Sequence, residues 1–492
     1  MPIENGKFRF NHRSTKRRGN ILGLTSASSK LSGTFRRDDL EEVALYMKNR
    51  QYDTLQDWDA IGDNGEQIPM KSRKPRIIYN LAKTLVDRLS SKLLGPRVFP
   101  SFNLDEDPLT KEFNDHLINI TGLKTKALSM AKSLTANGSG FLRFKIVEVD
   151  GMLHPTIEKY DSNICYPIFD AVGNLQELSI KYVFDDVEDK DENGTPKKKW
   201  YKLTLGKFSD TLYDNPEYKA DSDPEFKVVS SVSHNFGFVQ GEWFKTTDNM
   251  KEADGPSLVN DVKGFIDAFN YSISQSDQAV AYNQEPQLLI QGMTDDELED
   301  LVKSSMKSWA MGRDGDAKYL ESNLNGVEKA SDLRDKFREN VGDITRIILM
   351  NPEKVAGYAQ SAKAMEVLYA PFLDLIDEMR PFIEKGLLAL QQKLIVAILI
   401  TNQRGFQIAG INIPPSYSPA SLSFSLLWPA VFPMTMQDLQ QKVSLAVQAS
   451  NGNLISRETM TKFLAKDFGV EDVEEEIQKI LSQPVINPFS MF

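Results

Sequence analysis

Three acidic runs carry the residue types best suited to chemistry: Asp295-Asp-Glu-Leu-Glu-Asp300, Asp185-Asp186 and Glu471-Asp-Val-Glu-Glu-Glu476. Clustered carboxylates can hold two divalent metals and cleave a phosphodiester. The first and third runs, however, stand where helices should begin, and acids there offset the positive end of the helix dipole. Solvated helix starts are the better account, and a metal-dependent nuclease built on 295–300 is the rival. A fourth run, Asp189-Lys-Asp191-Glu-Asn193-Gly194, copies the first half of a calcium loop. The position of its closing Glu holds Trp200, strand-like runs flank it, and Pro196-Lys-Lys-Lys199 adds positive charge beside it. A hairpin turn fits this run better than an ion site.

Other chemistry has no footing. The histidines are four, His12, His116, His154 and His234, and none pairs with another at metal-ligand spacing. Cys165 is the sole cysteine, which rules out an intrachain disulfide and a cysteine-based metal site and fits synthesis in a reducing compartment. No phosphate-binding G-x-x-x-x-G-K-[ST] loop and no G-x-S-x-G nucleophile elbow occurs. No catalytic, cofactor-binding or metal-binding residue is therefore assigned, and an enzyme is not expected. The best apolar run, Leu394 to Ile400, falls far short of the roughly 20 residues that span a bilayer. The first residues lack the apolar core of a secretory signal.

Charge is unevenly spread. Residues 1–37 hold nine Lys/Arg against one acid, a net +8, which leaves −19 on the rest of a chain whose total is −11. A basic arm on an acidic body can bind nucleic acid or an acidic surface, or remain a solvated tail.

The elements that would position such groups follow from periodicity. Asp38, with Glu41 three residues on, reads as a capping box opening a helix through Met47. Residues 76–95 form an amphipathic helix with Ile78, Leu81, Ala82, Leu85, Leu89 and Leu93 on one face, stopped at Gly95-Pro96. One further helix is expected over 108–136. From 141 to 245 the period changes to two, with strand-like runs separated by Asp/Gly turns at Asp150-Gly151, 171–174 and 191–194, an antiparallel β region inserted in a helical protein. A helix over 258–284 follows, with Ser257 or Asp254 as its cap. Residues 285–329 read as a compact insertion of two short strands around an acidic helix from Thr294 to Trp309. The segment 331–400 is helix, a Gly/Ala/Ser-rich break, then a helix of roughly 40 residues, long enough for a bundle, ring or tube. A strand near 424 and terminal helices, one starting at Ser456, complete an α+β chain.

In this order the motifs resemble the tailed-phage portal proteins of siphovirus and myovirus type. The residues that carry the resemblance are Asn80, Lys83, Val86, Asp87, Arg88, Ser91, Leu94 and Gly95, then Tyr160-Asp161, Tyr166-Pro167 through Asp170, and Ile180-Lys-Tyr182. They continue with His234-Asn-Phe-Gly-Phe-Val239, Gly255-Pro-Ser-Leu-Val-Asn-Asp-Val-Lys263, Ile266 to Asn270, Ser276-Asp277 and Ile455-Ser-Arg-Glu-Thr459. The resemblance covers about 40 to 480. It implies a mainly helical portal fold: basic arm 1–37, wing 38–255 with its β insertion, stem helices 256–284 and 331–349, clip 285–330, tunnel loop 350–362, long kinked helix 363–400 and helical crown 401–492.

The resemblance further implies a homo-oligomeric ring of twelve at one capsid vertex, passing double-stranded DNA without reading sequence. It implies docking with terminase, major capsid and scaffolding proteins and a head–tail adaptor, a virion location after synthesis in the host cytoplasm, and no membrane. Another phage neck protein is the closer rival, disfavoured because adaptors are much shorter. The tunnel loop would present Asn351, Glu353, Lys354, Gly357, Tyr358, Gln360 and Lys363 to the channel. Small residues there let the loop approach a duplex, and Lys354 and Lys363 can touch phosphates. The loop departs from the usual pattern at Gln360-Ser-Ala-Lys-Ala364. On the stem, Lys336, Arg338 and Arg346 suit ion pairs between subunits better than DNA contact. Pro371 and Pro381 are expected to bend the long helix from within.

Overall fold

The computed structural model describes residues 28–61, 68–104, 108–149, 152–219, 224–247, 252–284, 287–291, 316–320, 325–349, 367–403, 424–431, 436–452, 454–465 and 473–482. The architecture is mixed helix and antiparallel sheet, as the change of period predicts. The chain divides into two compact units, Met1–Ile347 with Met379–Leu427, and Ile348–Glu378 with Trp428–Phe492.

The first unit opens with α1 (Ser28–Met47), which begins inside the stretch expected to be a basic arm. Asp38 lies in the middle of this helix and is not its cap. Burial of Leu40, Val43 and Tyr46 and capture of Arg36 by the body favour the longer helix over a local capping box. The next helix, α2 (Leu81–Leu94), starts five residues later than its periodicity predicts, because the Asn80 side chain accepts the Lys83 N–H at 2.9 Å and ends the extended run before it. Its inner face, Leu81, Leu85, Leu89 and Leu93, is fully buried. The single helix expected over 108–136 is two, α3 (Pro108–Thr121) and α4 (Leu123–Asn137), broken at Gly122 with φ 66°. A left-handed residue cannot continue an α-helix, and glycine takes that conformation without a Cβ clash.

Short β1 (Ser101–Leu104) precedes this pair and is matched much later in the chain. The β insertion supplies β2 (Ser139–Val149), β3 (Met152–Tyr160), β4 (Cys165–Phe169), β5 (Leu175–Lys190), β6 (Pro196–Leu205), β7 (Ser209–Tyr213), β8 (Val228–Ser233) and β9 (Glu242–Lys245). They form two antiparallel sheets of order β3-β2-β9 and β4-β5-β6-β7-β8. Between the sheets sits a core of Phe141, Cys165, Leu178, Ile180, Leu205, Val239 and Trp243. The calcium-like run is the β5–β6 hairpin turn. Asp191 accepts the Asn193 and Thr195 N–H groups, Gly194 has φ 79°, and Asp189 pairs with Lys197 and Lys199.

Beyond the sheets come α5 (Leu258–Gln284), β10 (Gln287–Gln291), β11 (Asp316–Leu320), α6 (Asn325–Thr345) and, from Met379 onward, the long α7 (Ala370–Gln403). Pro381 lies inside α7. Pro371 does not: it is the second residue, in the first turn, where its missing N–H is one that no helix satisfies. Only Pro381 stands where a bend from within would arise. Ile383, Leu387, Leu390, Leu394 and Ile398 bury the inner stripe of α7. The unit closes with β12 (Phe424–Leu427) antiparallel to β1.

The second unit contains α8 (Met436–Asn451), α9 (Arg457–Ala465) and α10 (Val473–Ser482), packed in sequence. Ser456 caps α9, its Oγ accepting the Thr459 N–H at 3.1 Å. Glu474, Glu475 and Glu476 fill the first turn of α10, as a solvated helix start requires. No described helix is long and apolar enough to cross a membrane.

Candidate functional site

The limb formed by α5, β10, β11 and α6 carries two of the predicted site residues, Lys336 and Arg338. Gln287 of β10 faces Leu320 of β11 in antiparallel register, and α5 packs on α6. The chain thus runs out along α5 and returns along α6. The α6 helix ends at Thr345, whose hydroxyl donates to the Val341 carbonyl, and Arg346 follows in the left-handed region with φ 56°. That conformation, usually given to glycine, turns the chain so that Ile347 is buried.

The limb is fastened to the body by polar groups. Asp267 of α5 accepts hydrogen bonds from two tyrosines, Tyr46 at 2.7 Å and Tyr52 at 2.6 Å. Burial lifts the Asp267 carboxyl above its ordinary range, while the Tyr52 and Tyr46 hydroxyls oppose that lift. Burial and the neighbouring Asp267 charge push both phenols well up, so they act as donors throughout the ordinary pH range. Asn270 accepts the Tyr79 N–H and donates to the Tyr52 oxygen, and Ser274 accepts the Ile77 N–H. The Trp58 indole donates to Gln278, the Tyr271 hydroxyl donates to the Arg73 carbonyl, and Arg76 lies 3.6 Å from Asp277. One side of α5 is thereby bolted along about three helical turns to residues 46–79.

A second junction holds the base of α5. Arg36 reaches Asp254 with two hydrogen bonds, 2.5 and 2.9 Å, and donates to the carbonyls of Cys165 and Ser162. Its guanidinium lies 5.6 Å from the centre of the Trp243 ring. Ser139 also donates to Asp254. Of the two candidate caps for α5, Ser257 serves, accepting the Asn260 N–H at 3.1 Å and donating to the Ala136 carbonyl. Asp254 is engaged by Arg36 instead. Gly138 and Gly255 approach so closely that a Cβ on Gly138 would stand 2.0 Å from the Gly255 oxygen. The Gly255-Pro-Ser motif thus locks the α4–β2 corner to the start of α5. The Cys165 thiol is pushed up by burial in this core, far from a reactive thiolate.

Of the predicted site residues, Lys336 is exposed on α6, Arg338 is half-buried there, and Arg346 is exposed just past its end. Pro381 is exposed on α7, and Pro371 stands in its first turn. Asn351, Glu353, Lys354, Gly357, Tyr358, Gln360 and Lys363 lie outside the described residues, as do the acids 295–300 and the helix expected from Thr294. Asp185 and Asp186 lie on β5, and Lys199 pairs with Asp186 at 2.9 Å. Asp267 lay within the Ile266–Asn270 motif without its role being legible, and the clamp tyrosines Tyr46 and Tyr52 were not signalled by the sequence. Their partners stand more than 200 residues away, and no local spacing joins them. The junction had one signal, Gly255-Pro-Ser.

Among curated proteins no match is found. Among solved structures, a chain of "Virion of native gene transfer agent (GTA) particle" is similar at 12% identity and a TM-score of 0.39, covering 78% of this chain and 89% of that one. Residues 35–484 match the family described as "Phage portal protein, SPP1 Gp6-like". That match takes in both junctions, the limb, the β insertion and the terminal helices, and the chain belongs to this phage portal protein family.

Proposed function

We propose that the protein is the portal of a phage head: a ring of identical subunits, twelve by resemblance, at one capsid vertex of the virion. It passes double-stranded DNA inward during packaging and outward during ejection, performs no catalysis, and docks a terminase and later a head–tail adaptor. The family match over residues 35–484 carries this reading. The limb supports it physically, because an out-and-back helix pair fastened at its base by Asp267 and Arg36 can stand as one stave of a wall. In this scheme residues 38–255 are wing, 256–284 and 331–349 stem, 285–330 clip, 350–362 tunnel loop, 363–400 the bent helix and 401–492 crown. Lys354 and Lys363 touch phosphates of the passing duplex, and Lys336, Arg338 and Arg346 pair with acids of the next subunit. A net acidic body keeps the duplex from adhering.

Electron microscopy of the purified full-length protein tests the reading, with rings around a central hole expected. A protein that stays monomeric at every concentration and salt tried overturns it. Removing residues 353–360 should leave rings intact and impair DNA packaging or retention. Normal packaging by that deletion would remove the tunnel-loop assignment while leaving the portal assignment standing.

A further inference from the structure

The first unit contains a cavity of about 350 Å³. It lies between the β4–β5 turn, the turn at Lys207, the segment 237–247 and the middle of α7. That volume is near the lower end of the range for small-molecule sites. Its ionisable lining is Lys207, Lys245, Lys385 and Lys393 against Glu242 alone, an excess of three positive charges within a chain whose total is −11.

These lysines are not equivalent. Lys393 is committed to the wall, pairing with Glu242 at 2.5 Å and donating to the Gly241 carbonyl. Lys245 donates to the Glu252 carbonyl and lies 4.6 Å from the centre of the Phe169 ring. Lys385 acts on Glu242 through its charge alone, and Lys207 makes no hydrogen bond or ion pair to a side chain among the described residues. Lys385 is exposed and Lys207 half-buried, so both can swing towards an entering ligand. No arginine lines the cavity. Lysine ammonium groups bind phosphate as point charges, and two of them match the two negative charges of a phosphate ester. Three half-buried rings, Phe169, Phe238 and Phe382, give the cavity flat apolar walls for the organic part.

We propose that this cavity binds a small phosphate ester, with Lys207 and Lys385 supplying the charge that holds the phosphate. The site does not depend on the portal reading. Calorimetric titration of the full-length assembled protein with ATP, at fixed salt, tests it. Saturable binding of one ATP per chain is expected, displaced by inorganic pyrophosphate. The double variant Lys207→Ala/Lys385→Ala should weaken binding at least about tenfold while leaving particle mass and thermal midpoint unchanged. Absence of saturable binding at millimolar ATP overturns the proposal, as does ATP binding that pyrophosphate fails to displace or that the double variant retains. Binding of duplex DNA or of polyglutamate, with none of ATP, overturns it equally.

Discussion

At the scale of single residues, the groups that matter most are buried polar ones whose partners lie far along the chain. Arg36, with its side chain 17% exposed, satisfies Asp254 and two main-chain carbonyls at once. Arg36→Ala leaves all of them without a donor and should cost roughly 3 kcal/mol in unfolding free energy. Arg36→Lys keeps the charge, loses the fork and should cost less, which denaturant unfolding of the two variants will show. Asp267 makes a prediction in pH. Burial holds its folded-state carboxyl above the ordinary value of 3.8. Such a group keeps its proton longer when folded, so its contribution to stability is present at low pH and is lost as pH rises through the folded value. Asp267→Asn cannot titrate. The stability of wild type relative to this variant should therefore fall as pH rises above the ordinary carboxyl value and become level once the folded carboxyl is fully ionised. A difference that rises with pH would contradict the assignment.

At the scale of elements, close approach decides where helices and strands sit. Gly386 of α7 lies against Phe244 of β9, and a Cβ at 386 would stand 2.5 Å from that ring. Phe244 is 1% exposed and cannot step aside. Gly386→Ala should therefore destabilise by about 1–3 kcal/mol, although alanine is the better helix former by about 1 kcal/mol. A rise in thermal midpoint would show that α7 can slide. Much of this level was legible beforehand. Strand runs such as 152–160 and the helix 258–284 were readable because each buries one face, and burial of one face writes a period into the sequence. The short strands β1, β7 and β9, of four or five residues, were passed over, whereas β10 and β11, no longer, were read from their apolar content. The start of α1 was misread at Asp38 because a local capping pattern was outweighed by a distant partner of Arg36. The break at Gly122 was passed over because apolar spacing runs on through it. Of the candidate site, the α5 start was foreshadowed by Gly255-Pro-Ser, while the clamp at Asp267 was not, since Tyr46 and Tyr52 have no local signature.

At the scale of the whole molecule, charge is the distinguishing quantity. Residues 1–27 alone hold six Lys/Arg against Glu4, on a chain that is acidic elsewhere. If that segment touches duplex DNA, deleting residues 2–27 should reduce the dependence of log K on log salt by up to about five, close to one per cation lost. A filter-binding series across salt concentrations measures the slope. An unchanged slope would assign the segment to an acidic protein surface instead.

The junction at Arg36 also sets a schedule for synthesis. Its acid partner, Asp254, is 218 residues downstream, and the clamp tyrosines wait for Asp267 over similar distances. At ribosomal rates of about 5–20 residues per second, α1 leaves the ribosome some 10–40 s before its partners exist. During that interval a guanidinium meant for a dry corner remains hydrated, and the face of α1 that packs against α5 is uncovered. The first unit is consequently not a module that can be harvested from its early residues. Chains halted before position 254 should accumulate on holding chaperones, and release should coincide with emergence of α5.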